Sequence, residues 1–144
     1  MTEETNQIVI GVDVGTRRVG IAVSDEERRF ALPHDTFDAT DAPRAIISLA
    51  EDRKCSTLVV GWPLMLDGRE GRATRSVEKF IERLEDEASG CEHEIEIVTY
   101  DERLTTGAAH NLLGEAAVFG KKRKAVVDQV AATQILQGYL DEQR

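Results

Sequence analysis

Two runs of apolar, mostly β-branched residues, at positions 7–13 and 57–61, place the strongest constraint on how this chain can fold. Strands that are apolar along their whole length are typical of sheets that are buried on both faces. Such a sheet needs helices on each side, and 144 residues are enough for one domain of this kind with a real hydrophobic core. We therefore predict a single α/β domain over residues 1–144.

The remaining elements follow from hydrophobic periodicity. Three further strands are predicted at Val19–Val23, Phe30–Phe37 and Ile95–Tyr100. Pro33 favours a sheet edge for the second of these. Helices are predicted to open at Thr40–Pro43, to span residues 72–88, to include Ala108–Leu113, and to run from about Ala125 to Glu142. The resulting order, β-β-β-α-β-α-β-α-α, predicts a mixed five-stranded sheet in which an antiparallel meander joins parallel strands and helices flank both.

The N terminus is acidic and polar, and no apolar stretch is long enough to cross a bilayer. We therefore expect no membrane association and a cytoplasmic location. Cys55 and Cys91 form no CxxC pattern, and His93 has no partner at zinc-ligand spacing. Two reduced thiols are the expected state of these cysteines.

The net charge of −9 argues against binding of nucleic acid by bulk charge alone. Positive charge is nevertheless concentrated in the consecutive basic residues 121–124 and in the pair Arg17–Arg18. We predict a basic loop over residues 120–124, before the last helix. A solvated loop is the usual role of such a run, and its position relative to the acids described next keeps a nucleic-acid contact open.

Asp13 ends the first predicted strand and is the first of three acids in unusual positions. It shares side-chain parity with Val9 and Gly11, so it is expected to face a covered side of the sheet. A buried carboxylate without a partner is costly, which indicates a cation, a hydrogen-bond network or a metal ion beside it. The alternative is that Asp13 caps the turn at residues 14–16.

Glu102 follows the strand that ends at Tyr100. Sites in open α/β sheets form at the carboxyl ends of strands, which makes Glu102 a candidate site residue. The alternative is that Asp101 and Glu102 are acids favoured by the dipole at a helix N terminus.

Asp128 lies in line with the apolar stripe of the last predicted helix, because Ala131, Ala132 and Ile135 follow it at helical spacing. The two alanines would let the helix approach the sheet closely. The alternative is a buried ion pair with an arginine, either Arg17 or Arg103.

Three carboxylates that met at one edge of the sheet would repel one another and raise one another's pKa. Divalent cations relieve this repulsion, and oxygen ligands suit Mg²⁺ or Mn²⁺. We predict that Asp13, Glu102 and Asp128 are both the metal ligands and the catalytic residues of a site that binds two ions and hydrolyses phosphodiester bonds.

Four segments of the chain resemble the YqgF family: Ile10–Asp25, Val60–Leu64, Asp101–Thr106 and Val127–Leu136. They occur in the family's order and span nearly the whole chain. Members are described as Holliday junction resolvases and as nucleases that trim the precursor of small-subunit ribosomal RNA. The resemblance implies an RNase H-like fold, and the family's acidic positions match Asp13, Glu102 and Asp128.

The resemblance also implies contacts with the substrate. The family's arginines would bind phosphate or orient the carboxylates, and threonines lie beside them. Together with the basic run, the expected substrate-binding residues are Arg17, Arg103, Thr16, Thr106, Lys121, Lys122 and Arg123. One departure is Met65, where many members carry asparagine, in a loop that also contains Trp62.

The predicted function is metal-dependent cleavage of structured nucleic acid, with 5′-end processing of pre-16S rRNA in ribosome biogenesis as the first choice. Resolution of Holliday junctions is the alternative activity, and a non-catalytic nucleic-acid-binding module is the alternative without catalysis. A phosphotransferase or ATPase of the actin-like type would need two such domains, for which this chain is too short.

The favoured partner is an RNA precursor, with ribosomal particles as further candidates, since a small monomer suffices for RNA processing. Junction resolvases act as symmetric dimers. Because no exposed apolar patch is evident in the sequence, we favour a monomer over a homodimer.

Overall fold

The computed structural model describes residues 8–64, 67–102 and 120–143, and in the last of these segments it describes side chains from residue 127 onward. The strands are β1 (Val9–Val14), β2 (Arg18–Ser24), β3 (Ala31–Asp38), β4 (Thr57–Trp62) and β5 (Glu96–Asp101). The helices are α1 (Ala42–Arg53), α2 (Arg72–Ala88) and α3 (Gly120–Glu142).

The strands form one sheet in the order β3-β2-β1-β4-β5. β1, β2 and β3 are antiparallel neighbours, whereas β1, β4 and β5 run parallel. The predicted mixed five-stranded sheet is therefore confirmed. The carboxyl ends of β1, β4 and β5 and the beginning of β2 share one edge of the sheet, which we call the site edge.

The two faces of the sheet pack against different helices. One face carries Ile10, Ile21 and Leu58 and is covered by α1 and α2, which bury Ile46 and Leu84 against it. The other face carries Val9, Ala22 and Val59 and is covered by α3 through Ile135, Leu136 and Leu140. Alternation along each strand decides which side chains reach which helix, so odd-numbered residues of β1 face α3.

β3 is an edge strand, as Pro33 predicted, and it pairs only with β2 among the described residues. The turn before it is held by Asp25, whose carboxylate accepts hydrogen bonds from the backbone N–H groups of Arg29 and Phe30. The hydrogen bond from Phe30 is the main reason that the pKa of Asp25 is lowered. This turn exposes Phe30 and Leu32, an apolar surface that was not evident in the sequence.

Two predictions about helix starts need correction. The basic run was predicted to be a loop, but α3 already begins at Gly120, because lysine and arginine are good helix formers and no helix breaker follows. Asp41 is the N-cap residue of α1, with proline in the first turn as predicted, but its side chain makes no capping hydrogen bond. The helix predicted through Ala108–Leu113 lies outside the described residues.

Cys55 is buried, Cys91 is partly exposed, and both are free thiols, as expected. In the described part of the chain, none of the helices combines the length and the apolar composition that a bilayer span requires.

Candidate active site

Asp13 and Asp128 approach each other across β2. Asp13 lies opposite Gly20 in the antiparallel pairing of β1 with β2. Gly20 has no side chain, and a Cβ atom built there would overlap the backbone carbonyl of Asp128. α3 therefore rests directly on β2 at this point, and Asp128 is placed beside the strand pair that carries Asp13.

Glu102 reaches the same face from the other side of β1. It follows β5 directly, and a Cβ atom on Gly61 of β4 would lie 2.7 Å from the Glu102 Oε2 atom. The same Cβ atom would lie 2.6 Å from the Cδ1 atom of Ile135 on α3. Glu102 thus lies over β4, under α3, at the site edge. The three acids singled out in the sequence share one face and one edge of the sheet.

Electrostatics agree with this placement. Burial is the main cause that raises the pKa of Asp13 from 3.8 to about 7, and the negative charges of Glu102 and Asp128 add to it. Burial also raises the pKa of Glu102, with a further contribution from Asp101. At neutral pH and without a bound cation, this group of carboxylates therefore holds part of a proton.

Asp128 has a basic partner, Arg18, that was not among those expected for it. The Nε atom of Arg18 donates a hydrogen bond to the Oδ2 atom of Asp128 over 3.1 Å, and their side chains are 30% and 19% exposed. Burial raises the pKa of Asp128, and the Arg18 hydrogen bond and charge oppose that rise. The expected partners of such an ion pair were Arg17 and Arg103.

Strand parity explains why Arg18, and not Arg17, binds Asp128. Arg17 lies in the turn between β1 and β2 and is exposed. Arg18 is the first residue of β2 and shares its face with Gly20, beneath α3. The signal was present in the sequence as the alternation Arg18, Gly20, Ala22, in which small residues mark the face where the helix packs.

The predicted substrate-binding residues are described only in part. Thr16 and Arg17 are exposed in the turn at the site edge, and the Arg17 carbonyl accepts a hydrogen bond from the N–H of Ala39. The backbone of residues 121–123 forms the first turn of α3, on the approach to Asp128. The side chains of Lys121, Lys122 and Arg123 lie outside the described part, as do Arg103, Thr106 and Met65.

The donor set suits a hard divalent cation, because Glu102 and Asp128 lie near enough to Asp13 for their charges to act on it, and all three groups offer carboxylate oxygens. In residues 8–64, 67–102 and 120–143, however, no three Asp, Glu, His or Cys side chains are already spaced to hold an ion. The placement of Glu102 over Gly61 and of Asp128 over Gly20 brings both residues to the end of the sheet that carries Asp13, so binding of one ion by all three would require their side chains to move closer together.

Two other acids, Asp67 and Asp25, make contacts within their own turns. Asp67 pairs with Arg69 through Nε and Oδ2 over 2.7 Å in an exposed loop. Asp25 lies in the turn at the opposite edge of the sheet. Both carboxylates therefore stabilise local turns.

The fold has counterparts among solved structures. RuvC of T. thermophilus in complex with a Holliday junction substrate superposes with a TM-score of 0.56 over 95% of each chain, at 13% sequence identity. The yeast mitochondrial Holliday junction resolvase gives a TM-score of 0.55 over 95% of this chain and 81% of its own, at 10% identity. These likenesses establish the RNase H-like fold that was predicted.

Sequence relatives are much more similar. A protein of Salinibacter ruber named "Putative pre-16S rRNA nuclease" is 43% identical over 92% of this chain and 92% of its own. One of the same name from Chloroflexus aurantiacus is 41% identical over 96% of this chain and 90% of its own. The family model described as "RuvX: Holliday junction resolvase" matches residues 7–142. The chain therefore belongs to the RuvX family, also called YqgF, the family that its four motifs resemble.

Proposed function

We propose that this protein is a divalent-metal-dependent nuclease whose natural substrate is the 5′-extended precursor of 16S rRNA. The observation that carries the proposal is the meeting of Asp13, Glu102 and Asp128, from two strand ends and a helix, on one face of the site edge. A raised pKa that combines burial with neighbouring charges is characteristic of functional sites.

Asp13, Glu102 and Asp128 are the residues that would hold Mg²⁺ or Mn²⁺, with two ions as the expected number. Bound ions would supply Lewis acidity toward the phosphodiester and lower the pKa of the attacking water. Asp13 has to give up its proton before it can act as a ligand. Cation binding should therefore release protons and tighten as the pH rises through about 7.

The substrate would lie across the site edge. Thr16 and Arg17 are exposed in the turn beside Asp13, where a guanidinium and a hydroxyl can contact phosphate oxygens. Lys121, Lys122 and Arg123, on the first turn of α3, would extend this basic border past Asp128. The net charge of −9 makes such a local basic border necessary, because the protein as a whole repels nucleic acid.

The RNA assignment rests on the names of relatives that are about 40% identical over nearly their full length. Action on ribosomal precursors would place the protein in the cytoplasm, with ribosomal particles as partners. Holliday junction resolution is the second candidate, supported by the family description and by the fold shared with RuvC. A resolvase would have to act as a symmetric dimer, whereas trimming of an RNA end requires one active site.

The test is cleavage of a 5′-extended 16S rRNA precursor and of a four-way DNA junction, each with Mg²⁺, with Mn²⁺ and with EDTA. We expect metal-dependent cutting of the RNA and a loss of at least about a hundredfold in Asp13→Asn, since even residues that support a metal ligand contribute 10–100-fold. Cutting of the junction alone would move the assignment to resolution.

The matched control is Asp52→Asn, which removes the same charge from an exposed position on α1, on the far side of the sheet. It should cleave like the wild type. Equal cleavage by Asp13→Asn and the wild type would rule out the carboxylate site. Folded protein that cuts neither substrate would favour the non-catalytic binding module.

A further inference from the structure

We propose that Arg18 is a positioning residue of the carboxylate site: by binding the Oδ2 atom of Asp128, it orients this carboxylate so that Oδ1 can bind the divalent cation. This inference rests on the proposed function, because it concerns how the metal ligands are held. This role was not expected from the resemblance to the family, and Arg18 is not among the predicted substrate-binding residues.

The contact is made by a constrained part of the arginine. Nε is the guanidinium nitrogen nearest the backbone, and it donates to Oδ2 over 3.1 Å. Arg18 begins β2, and Gly20, two residues further along the strand, lies under the backbone carbonyl of Asp128. One short stretch of β2 therefore fixes both the main chain and the carboxylate of Asp128.

The helix itself does not depend on Arg18 for its position. Gln129 donates from Nε2 to the Thr36 hydroxyl over 3.0 Å, and Gln137 accepts from the Ala31 N–H over 2.8 Å. Buried contacts of Ile135, Leu136 and Leu140 hold the same helix to the sheet. Loss of the Arg18 side chain should therefore free the Asp128 carboxylate to rotate while α3 stays in place.

Arg18 could instead act only as a positive charge that replaces the cation, and its removal would then change cation binding in the opposite direction. The guanidinium beside Asp128 neutralises part of the negative charge of the site, and by itself it would repel an incoming cation. If Arg18 were only a substitute for the metal ion, its removal would tighten cation binding. If it orients Asp128, its removal weakens binding, because a ligand that has to be ordered first binds less strongly. The sign of the change separates the two roles.

The experiment is a titration of the full-length protein with Mn²⁺, followed by calorimetry or electron paramagnetic resonance, for the wild type, Arg18→Met, Asp128→Asn and the double variant. We expect Arg18→Met to weaken Mn²⁺ binding about 10–100-fold. The double variant should bind Mn²⁺ like Asp128→Asn alone, since Arg18 acts through that carboxylate. Unchanged or tighter binding by Arg18→Met, or additive effects in the double variant, would overturn the inference.

Two further variants control for charge and for folding. Arg29→Met removes one positive charge from the exposed turn at the other end of the β2–β3 hairpin and should leave Mn²⁺ affinity unchanged. Arg18→Lys keeps the charge but not the Nε donor, and we expect it to bind Mn²⁺ between the wild type and Arg18→Met. Should Arg18→Met fail to fold, wild-type affinity in Arg18→Lys overturns the inference.

The two proposals fail in different ways. A wild-type protein that binds no Mn²⁺ contradicts the metal-dependent nuclease and the role of Arg18 together. A wild-type protein that binds Mn²⁺ and cleaves RNA, beside an Arg18→Met variant that binds Mn²⁺ equally well, contradicts the role of Arg18 alone.

Discussion

The two faces of the sheet are built on different principles. Beneath α1 and α2, the three central strands present large aliphatic side chains such as Ile10, Ile21 and Leu58, which form one apolar cluster with the helices. Beneath α3, three neighbouring strands each carry a glycine on this face, and the helix lies close to the backbone of the strands. The second face ends at the site edge in three carboxylates and an arginine.

This difference shows how the two faces of one sheet separate stability from chemistry. The α1–α2 face buries apolar surface, which is the main stabilising contribution to folding. On the α3 face, Gly11, Gly20 and Gly61 give up some of that burial so that Asp128 and Glu102 come within electrostatic reach of Asp13. The cost is a group of like charges that the fold alone does not neutralise.

Weakening the apolar face should lower stability and leave the chemistry intact. Leu58 is fully buried under α1 and α2, and Leu58→Ala should lower the free energy of unfolding by roughly 2–5 kcal/mol. Below its melting temperature, the variant should still cleave RNA at nearly the wild-type rate. Urea denaturation and cleavage assays on the same sample measure both quantities. Loss of cleavage in the folded variant would show that the two faces are coupled.

On the α3 face, a substitution at the site should raise stability instead of lowering it. Asp13→Asn tests this expectation in EDTA, so that no divalent cation is bound. The folded chain holds the Asp13 proton more tightly than the unfolded chain, because the folded-state pKa is about 7 and the ordinary value is 3.8. This group therefore stabilises the folded state fully below pH 4, and that contribution is lost as the pH rises to about 7. Asparagine has no such titration.

Asp13→Asn should accordingly raise the free energy of unfolding at pH 8, by an amount on the order of 3 kcal/mol relative to its effect at pH 4. Thermal denaturation of both proteins at several pH values provides the measurement. A constant difference between them across this pH range would mean that the pKa of Asp13 is not raised in the folded protein. Added Mg²⁺ should stabilise the wild type more than the variant.

Gly20→Ala addresses the close approach of α3 to β2. Its methyl group would overlap the Asp128 carbonyl, so the helix must shift, at an expected cost of about 1–3 kcal/mol. Because the shift displaces Asp128, cleavage should fall as well. Gly90→Ala is the matched control, since its Cβ atom would meet only the Glu87 carbonyl oxygen at 3.7 Å. Equal stability of the two variants would show that α3 has room to move.

Much of this arrangement could be predicted from the sequence. Buried strands and helical periodicity predicted the mixed sheet, because side-chain alternation is a local property that tertiary contacts rarely reverse. The same parity placed Asp13 and Asp128 on the covered face. The roles assigned to these acids, and to Glu102, remain predictions that the proposed variants test.

The rest depended on contacts between distant parts of the chain. The alternative considered for Asp128 was an ion pair with Arg17 or Arg103, and the structure shows an ion pair with Arg18, because the exact start of β2 decides which arginine faces the helix. The predicted start of α3, at about Ala125, was wrong by a few residues, because the helix begins at Gly120. A basic run is compatible with both a loop and a helix. The importance of Gly20 becomes visible only once the helix is packed on β2.

The ion pair between Arg18 and Asp128 joins residues 110 positions apart, which has a consequence for biosynthesis. A ribosome releases a chain from its N terminus, so Asp13 and then Glu102 emerge well before α3 does. Until α3 has left the exit tunnel, the glycine face of the sheet is uncovered and the third carboxylate is missing. The nascent chain therefore has no complete carboxylate site until α3 emerges from the ribosome, the particle whose RNA the finished protein is proposed to process.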